Sequence, residues 1–153
     1  MRERKSARLL VISPSNQVLL FRFDHADGAL AGESCWATPG GALESDETFE
    51  AAAIRELREE TGIVVSTVAA PVDRREFPML LPSGEEVFAV EQYFVVQVEH
   101  HELSRAEWTA HELQVMTDHH WWSEQELRST QETVWPEGLI AMLADAGVFQ
   151  RAI

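Results

Sequence analysis

Cysteine is nearly absent: Cys35 stands alone in 153 residues, which excludes an internal disulfide and fits a reducing cytosol. No apolar run approaches the ~18 residues that a membrane helix needs. The opening segment, 1–12, is basic and then apolar, but Ser13-Pro14 cuts it too short for a signal peptide. These absences predict a soluble, cytoplasmic protein with no membrane partner. Basic residues are also scarce, 12 lysines and arginines against 26 acids, for a net charge of −14. Nucleic-acid binders need a basic face to release counterions from phosphates, so no nucleic-acid partner is expected. There is no internal repeat and no low-complexity stretch. The length suits one domain, residues 1–153, with a substantial core.

What is present is organised around residues 41–63. Alanine and long straight side chains predict a helix over 48–61. Ser45, Asp46 or Thr48 can cap its start, and Gly62 suits the left-handed residue beyond its end. At about 100° per residue, Phe49, Ala53, Leu57 and Ile54 form an apolar stripe, with Ala51 and Arg58 on the solvated side. Glu56, Glu59 and Glu60 overlap the edge of that stripe rather than the far side. Like-charge pairs three and four residues apart cost about a few tenths of a kcal/mol each on a bare helix, so something should offset them. A solvated face with Arg55 and Arg58 as counterions is one account. A hard-cation site is the other, because clustered carboxylates at the rim of a core suit magnesium, which takes oxygen ligands and bridges to phosphates.

The spacing decides between them: Gly41, five residues, Glu47, seven residues, Arg55-Glu56-Leu57, one residue, Glu59-Glu60, one residue, Gly62-Ile63. This stretch resembles the Nudix box with each fixed position present, and the chain resembles a Nudix hydrolase. The resemblance implies a fold of the α/β class, an α/β/α sandwich with a mixed β-sheet, the box loop and helix lying at the sheet's mouth. It implies a pyrophosphohydrolase dependent on Mg2+, with Mn2+ as the alternative ion, acting on a nucleoside diphosphate linked to another group. Sequence pattern alone supports only an α+β or α/β protein with two or three helices and about six strands.

The flanks are consistent with it. Residues 7–12 read as a strand buried on both faces, residues 13–16 as a turn, and 17–23 as a second strand, together a hairpin. Arg22 at its far end can reach a phosphate or serve a surface ion pair. Residues 24–34 read as an irregular loop. At Gly40-Gly41 the resemblance places a turn whose Gly40 carbonyl is a metal ligand; glycine lets backbone approach where a side chain would block it, although a plain tight turn needs glycine too. Residues 63–77 alternate loosely, with Pro71 marking a break or an edge. Residues 80–85 form a turn, and 87–98 are the strongest strand, with polar Glu91-Gln92-Tyr93 in its middle, lining a site or facing water. Segment 100–118 holds His100, His101, His111 and several acids. A zinc site there has neither cysteine nor a His-Glu-x-x-His pattern behind it. A strand through Trp121 and Trp122 would send them to opposite faces. Ser123 and Glu126 form a capping box for a short helix, and Pro136 suits the first turn of a last helix ending near Gly147.

By resemblance, Glu56, Glu59 and Glu60 are metal ligands with the Gly40 backbone, Arg55 orients a box glutamate, and Glu47 is structural or outer-sphere. A general base must reach the attacking water, and box glutamates committed to metal make poor proton acceptors. A carboxylate of the 102–118 loop is the alternative, Glu112 first and Asp118 second. The acidic surface would repel a polyanion, and bound divalent metal with a few placed arginines resolves that locally. Pro78, 15 residues beyond Ile63, is shared with ADP-ribose-type Nudix sequences and tips the expected substrate toward ADP-ribose or a nucleotide sugar. A (deoxy)nucleoside triphosphate is the second substrate class. A non-catalytic nucleotide sensor is the third reading; such domains commonly lose box glutamates, and this chain keeps them. A homodimer stays open.

Overall fold

The apolar run near the N-terminus becomes a strand buried on both faces. In the computed structural model, which describes residues 1–99 and 102–149, β1 spans Arg2–Ile12 and β2 spans Val18–Asp24. Short strands follow at Ser34–Ala37 (β3) and Gly40–Ala42 (β4), then the helix α1, Phe49–Thr61. Next come β5 at Asp73–Leu80, β6 at Glu86–Gln97, α2 at Ala110–Val115 and β7 at Met116–Trp122. The described chain closes with α3 at Glu124–Ser129, β8 at Val134–Trp135 and α4 at Leu139–Asp145.

All eight strands join one mixed sheet in the order β5-β6-β1-β2-β3-β8, with β4 on β1 and β7 on β2. β1 and β6 run parallel from Arg2↔Val87 to Ile12↔Gln97. β1 and β2 pair only at Ile12↔Val18, so the hairpin opens immediately. The gap is filled by β4, in register Ser6↔Ala42, Ala7↔Gly41 and Arg8↔Gly40. Splaying β1 from β2 thus seats the start of the box in the sheet itself.

Strand alternation sorts two cores onto the two faces. Ala7, Leu9 and Val11 pack with Leu19, Phe21 and Phe94 beneath Ala52, Ala53 and Leu57 of α1. Leu10, Ile12, Val18 and Leu20 pack with Trp36 and Tyr93 beneath Leu127 of α3 and Leu139, Met142 and Leu143 of α4. Helices on both sides of a mixed sheet make the α/β sandwich that the resemblance implied. Trp121 packs with the first cluster and Trp122 with the second, as alternation required.

Three local expectations shift. Residues 63–72 carry no regular structure, and the strand begins at Asp73, running on through Pro78. It lies at the sheet edge, where a residue without an N–H is tolerated. Pro136 does not sit in the last helix: it follows β8 across a cis Trp135–Pro136 bond, and its carbonyl accepts from Leu139 N–H at 3.2 Å. Left-handed Gly138 then starts α4, which stops at Asp145, two residues ahead of Gly147. Glu112 is not on a loop but in the first turn of α2. Among the described residues no helix is long and apolar enough to cross a membrane.

Candidate active site

The box helix starts where a side chain can replace a missing backbone acceptor. Thr48 Oγ1 accepts from Ala51 N–H at 3.1 Å, and Gly62, at φ 80°, donates to Arg58 O at its end. Leu57 and Ala53 are fully buried under the helix, which turns Glu56 and Glu60 to the core rim, where both are buried. Glu59 is half-buried, while Glu50 and Arg58 face solvent.

Arg55 is the counterion that the like-charge pairs required. Its Nε and Nη2 donate to the two Glu47 carboxylate oxygens at 2.9 and 2.8 Å, and Nη2 also reaches Ala42 O at 3.0 Å. Its Nη1 donates to Glu56 at 2.9 Å and to Glu59 at 3.2 Å. One planar guanidinium therefore ties the box loop to two helix carboxylates, a task that suits a fork of fixed geometry. Glu47 spends both oxygens on Arg55 and one also on Glu44 N–H, which ties the box loop to α1. The Arg55 bonds hold its carboxyl below the usual range.

Glycine is needed at the two positions where helix and sheet meet. Gly40 takes φ 140°, and a Cβ there would lie 2.1 Å from Ala7 O. A Cβ on Gly41 would lie 2.6 Å from a Glu56 carboxylate oxygen. The absent side chains let the Gly40 N–H donate to Glu60 Oε1 at 2.7 Å. The backbone at Gly40 thus stands beside a box carboxylate.

Glu60 is the most strained charge in the site. Burial, then the Glu112 carboxyl, then Glu56 push its pKa well above the carboxylate range, against the single Gly40 N–H. Glu56 is also raised, first by burial, in spite of its Arg55 bond. Glu112 comes from 52 positions further along the chain than Glu60, and the segment between α1 and α2 explains how. Trp108 Nε1 donates to Glu60 O at 2.8 Å, Ser104 N–H to Thr61 O at 2.8 Å, and Arg58 pairs with Glu107 at 3.1 Å. The Trp108 ring also stands edge-on to Phe21, with centroids 5.6 Å apart. Anchored there, Thr109 and Glu112 close a capping box, with Glu112 Oε1 accepting from Thr109 N–H at 2.9 Å. Its carboxyl comes within hydrogen-bonding reach of Glu60.

Asp118 instead lies on β7 opposite Arg22, and its Oδ1 accepts from the His119 N–H. Arg22 pairs with Asp24 and Glu132, the surface ion pair that was the plain reading of this residue. His111 is exposed, and His100 and His101 lie outside the described residues. Trp108 as the anchor of the α2 segment went unread in the sequence; a lone aromatic among acids was its one signal.

Oxygen donors alone make up the acid set around Glu60: the carboxylates of Glu56, Glu59, Glu60 and Glu112 beside the backbone of Gly40. That chemistry fits a hard divalent cation and not zinc. Among the described residues, no three acidic, histidine or cysteine side chains already surround one point. Arg55 accounts for part of this, since it draws Glu56 and Glu59 toward itself.

The comparisons agree with this fold. The structure resembles the MutT protein of Methanosarcina mazei Go1, with a TM-score of 0.69 at 19% identity over 96% of this chain and 93% of that one. It also resembles the Nudix domain of Shewanella oneidensis NrtR complexed with ADP ribose, with a TM-score of 0.62 at 17% identity over 95% and 88%. A third is an ADP-ribose pyrophosphatase from Streptococcus suis, with a TM-score of 0.61 at 12% identity over 98% and 96%. At these identities the likeness is one of fold. No curated protein matches the chain in sequence. The model of the Nudix domain matches residues 2–143, nearly the whole chain and the complete box with it, so the chain belongs to the Nudix hydrolase family.

Proposed function

We propose that this protein is a magnesium-dependent pyrophosphohydrolase that cleaves the diphosphate of a nucleoside diphosphate linked to a second group, of the ADP-ribose or nucleotide-sugar type. The observation that carries the reading is the buried Glu60 carboxyl, pressed between Glu56 and Glu112 with only the Gly40 N–H to offset its charge. A protein maintains such a concentration of buried acid at a cost, and a cation that arrives with the substrate removes that cost.

Glu56, Glu59 and Glu60, with the Gly40 carbonyl, would hold the ion. Bound magnesium, or manganese in its place, would neutralise charge on the diphosphate and make water a better nucleophile at neutral pH. The chain's own residues do the rest. Arg55 fixes the orientation of Glu56 and Glu59, and Trp108 fixes the path that delivers Glu112. Glu112 commits one oxygen to its cap, and its carboxyl, brought against Glu60, would take the proton of the attacking water. An active site that retains each box acid favours catalysis over sensing.

The preference for a linked diphosphate over a triphosphate rests on the offset of Pro78 and on the ADP-ribose partners of two structural neighbours. Pro78 itself is exposed on the edge strand. The deciding experiment is a panel of ADP-ribose, nucleotide sugars, dinucleoside polyphosphates and nucleoside triphosphates, with the products identified. Magnesium-dependent release of a mononucleotide from a linked diphosphate is expected. Preferential cleavage of triphosphates would replace the substrate class, and no release from any compound would overturn the hydrolase reading.

Two further results are expected. Millimolar magnesium should raise the melting temperature, because a ligand that binds only the native state stabilises it; an unchanged curve, with a substrate analogue also present, counts against the metal site. Glu112→Gln should lower kcat about a hundredfold while magnesium affinity changes far less. Near-wild-type turnover between about pH 7 and 9 would remove Glu112 from the mechanism and return the role to Asp118 or the box.

A further inference from the structure

The strand alternation that buries Leu10 and Ile12 beneath α3 and α4 also puts Arg4, Ser6 and Arg8 on that same face of β1. The register places them beside Ala89, Glu91 and Tyr93 of β6, and places Phe77 and Arg75 of β5 in the adjoining row. Toward the N-terminal half of β1 this face therefore changes from apolar core to a patch of guanidinium, carboxylate and aromatic groups. Gly40 borders it, in register with Arg8.

The ion pair at its centre is oriented in an unusual way. Arg8 donates to Glu91 through Nε, at 2.9 Å, and the other Glu91 oxygen accepts from the Tyr93 hydroxyl at 2.7 Å. Glu91 is 3% exposed, so its position is set by these two partners. With Nε engaged by Glu91, the two terminal nitrogens of Arg8 remain as a fork for another acceptor. Among the described residues these nitrogens have no protein acceptor, and neither is sealed from solvent. Arg4, two positions before Ser6, donates to the Ser6 hydroxyl at 3.0 Å and has no carboxylate partner among the described residues. Burial and the neighbouring Arg8 press its pKa below the usual guanidinium range, against the charges of Glu91 and then Glu56. Arg8 in turn feels Glu60. Arg75 likewise has no carboxylate partner among the described residues and lies 4.9 Å above the Phe77 ring. In a chain with 26 acids, Arg4 and Arg75 stand half-buried without a carboxylate partner among the described residues, which leaves guanidinium donors on this face available to an anion.

We propose that Arg8, gripped by Glu91, and Arg4 form a phosphate-binding fork on the sheet face opposite α1, beside the box carboxylates, with the group attached to that phosphate lying along Phe77. This rests on the reading of the protein as a pyrophosphohydrolase, and it names how the far end of the diphosphate is held. A bidentate fork matches two phosphate oxygens, and the half-exposed Phe77 ring, with Arg75 over it, offers apolar surface beyond.

The test is inorganic pyrophosphate binding by calorimetry, with and without magnesium, to the full-length chain and three variants. Arg4→Gln should weaken binding about tenfold without lowering the melting temperature, since a partly buried cation lacking a carboxylate is being removed. Arg8→Lys keeps the charge and the Glu91 partner but loses the fork, and should weaken binding by a similar factor. Arg74→Gln, on the opposite face of β5 with Glu76 as its partner, should bind as the wild type does. For a cleaved substrate, the first two variants should raise KM more than they lower kcat. Unchanged pyrophosphate affinity in both, or an equal loss in Arg74→Gln, would overturn the fork. The readout needs no turnover. Binding that depends on Arg4 and Arg8 in a protein that cleaves no nucleotide would sink the hydrolase reading alone; turnover with binding indifferent to both would sink only the fork.

Discussion

Glu60→Gln is expected to lower turnover by about a hundredfold or more, while raising the melting temperature of the metal-free protein. The two effects have opposite signs for one reason. Glu60 is a buried acid crowded by Glu56 and Glu112, so ionising it costs the fold whenever no cation is present. Glutamine keeps the oxygen that accepts from Gly40 N–H at 2.7 Å and cannot ionise, so packing survives and that cost disappears. The same loss of charge removes a ligand from the proposed metal site, and the magnesium-induced rise in melting temperature should largely vanish. Glu59→Gln, from the rim of the same cluster, should also cut turnover by orders of magnitude. Glu50→Gln, on the solvent side of α1, should leave it near wild type. Equal, small effects at all three positions would reduce the cluster to surface decoration.

Arg55→Met is expected to cost about 3 kcal/mol or more of stability, because breaking a mostly buried ion pair leaves its partners charged and unpaired. Only 15% of the Arg55 side chain is exposed, against 13% for Glu47 and 11% for Glu56, so water can do little to compensate. Removing it strands both carboxylates and frees the Ala42 carbonyl at once. Arg55→Lys should recover only part of the loss, since one ammonium cannot reach Glu47, Ala42, Glu56 and Glu59 from a single position. Chemical denaturation of both variants, with magnesium absent, measures this directly. A methionine variant as stable as the wild type would mean that the guanidinium contributes no net stability.

The double variant Arg55→Met with Glu47→Gln would show how far these terms couple. Residues sharing one network are not additive, and relief of the Glu47 charge should return part of the loss.

Much of this was legible in the chain itself. Helix α1 is written in its propensities and caps, and the stripe of Phe49, Ala53 and Leu57 predicted that Glu56 and Glu60 would sit at a buried rim. They do, at 8% and 4% exposure. The doubly buried β1 and the opposite facing of Trp121 and Trp122 followed from period-two alternation. Short elements were not legible. β4 and β8 are three and two residues long, too brief for any periodicity to register, and they exist because a neighbouring strand offers them hydrogen bonds.

Sequence by itself determined what depends on near neighbours: the caps, the apolar faces, the acid cluster and the spacing that marks the family. Tertiary structure alone decided what depends on chain segments meeting. It decided that β1 leaves β2 after one pair and lets the box enter the sheet, and that Trp108 brings Glu112 to Glu60. It also decided that Arg8 meets Glu91, 83 positions away, at the edge of the site. Local propensity and hydrophobic period act over a few residues, whereas the burial of a charge is set by whatever packs against it. The acids could be identified from the sequence, but their strain, and the cations placed around them, came only with the fold.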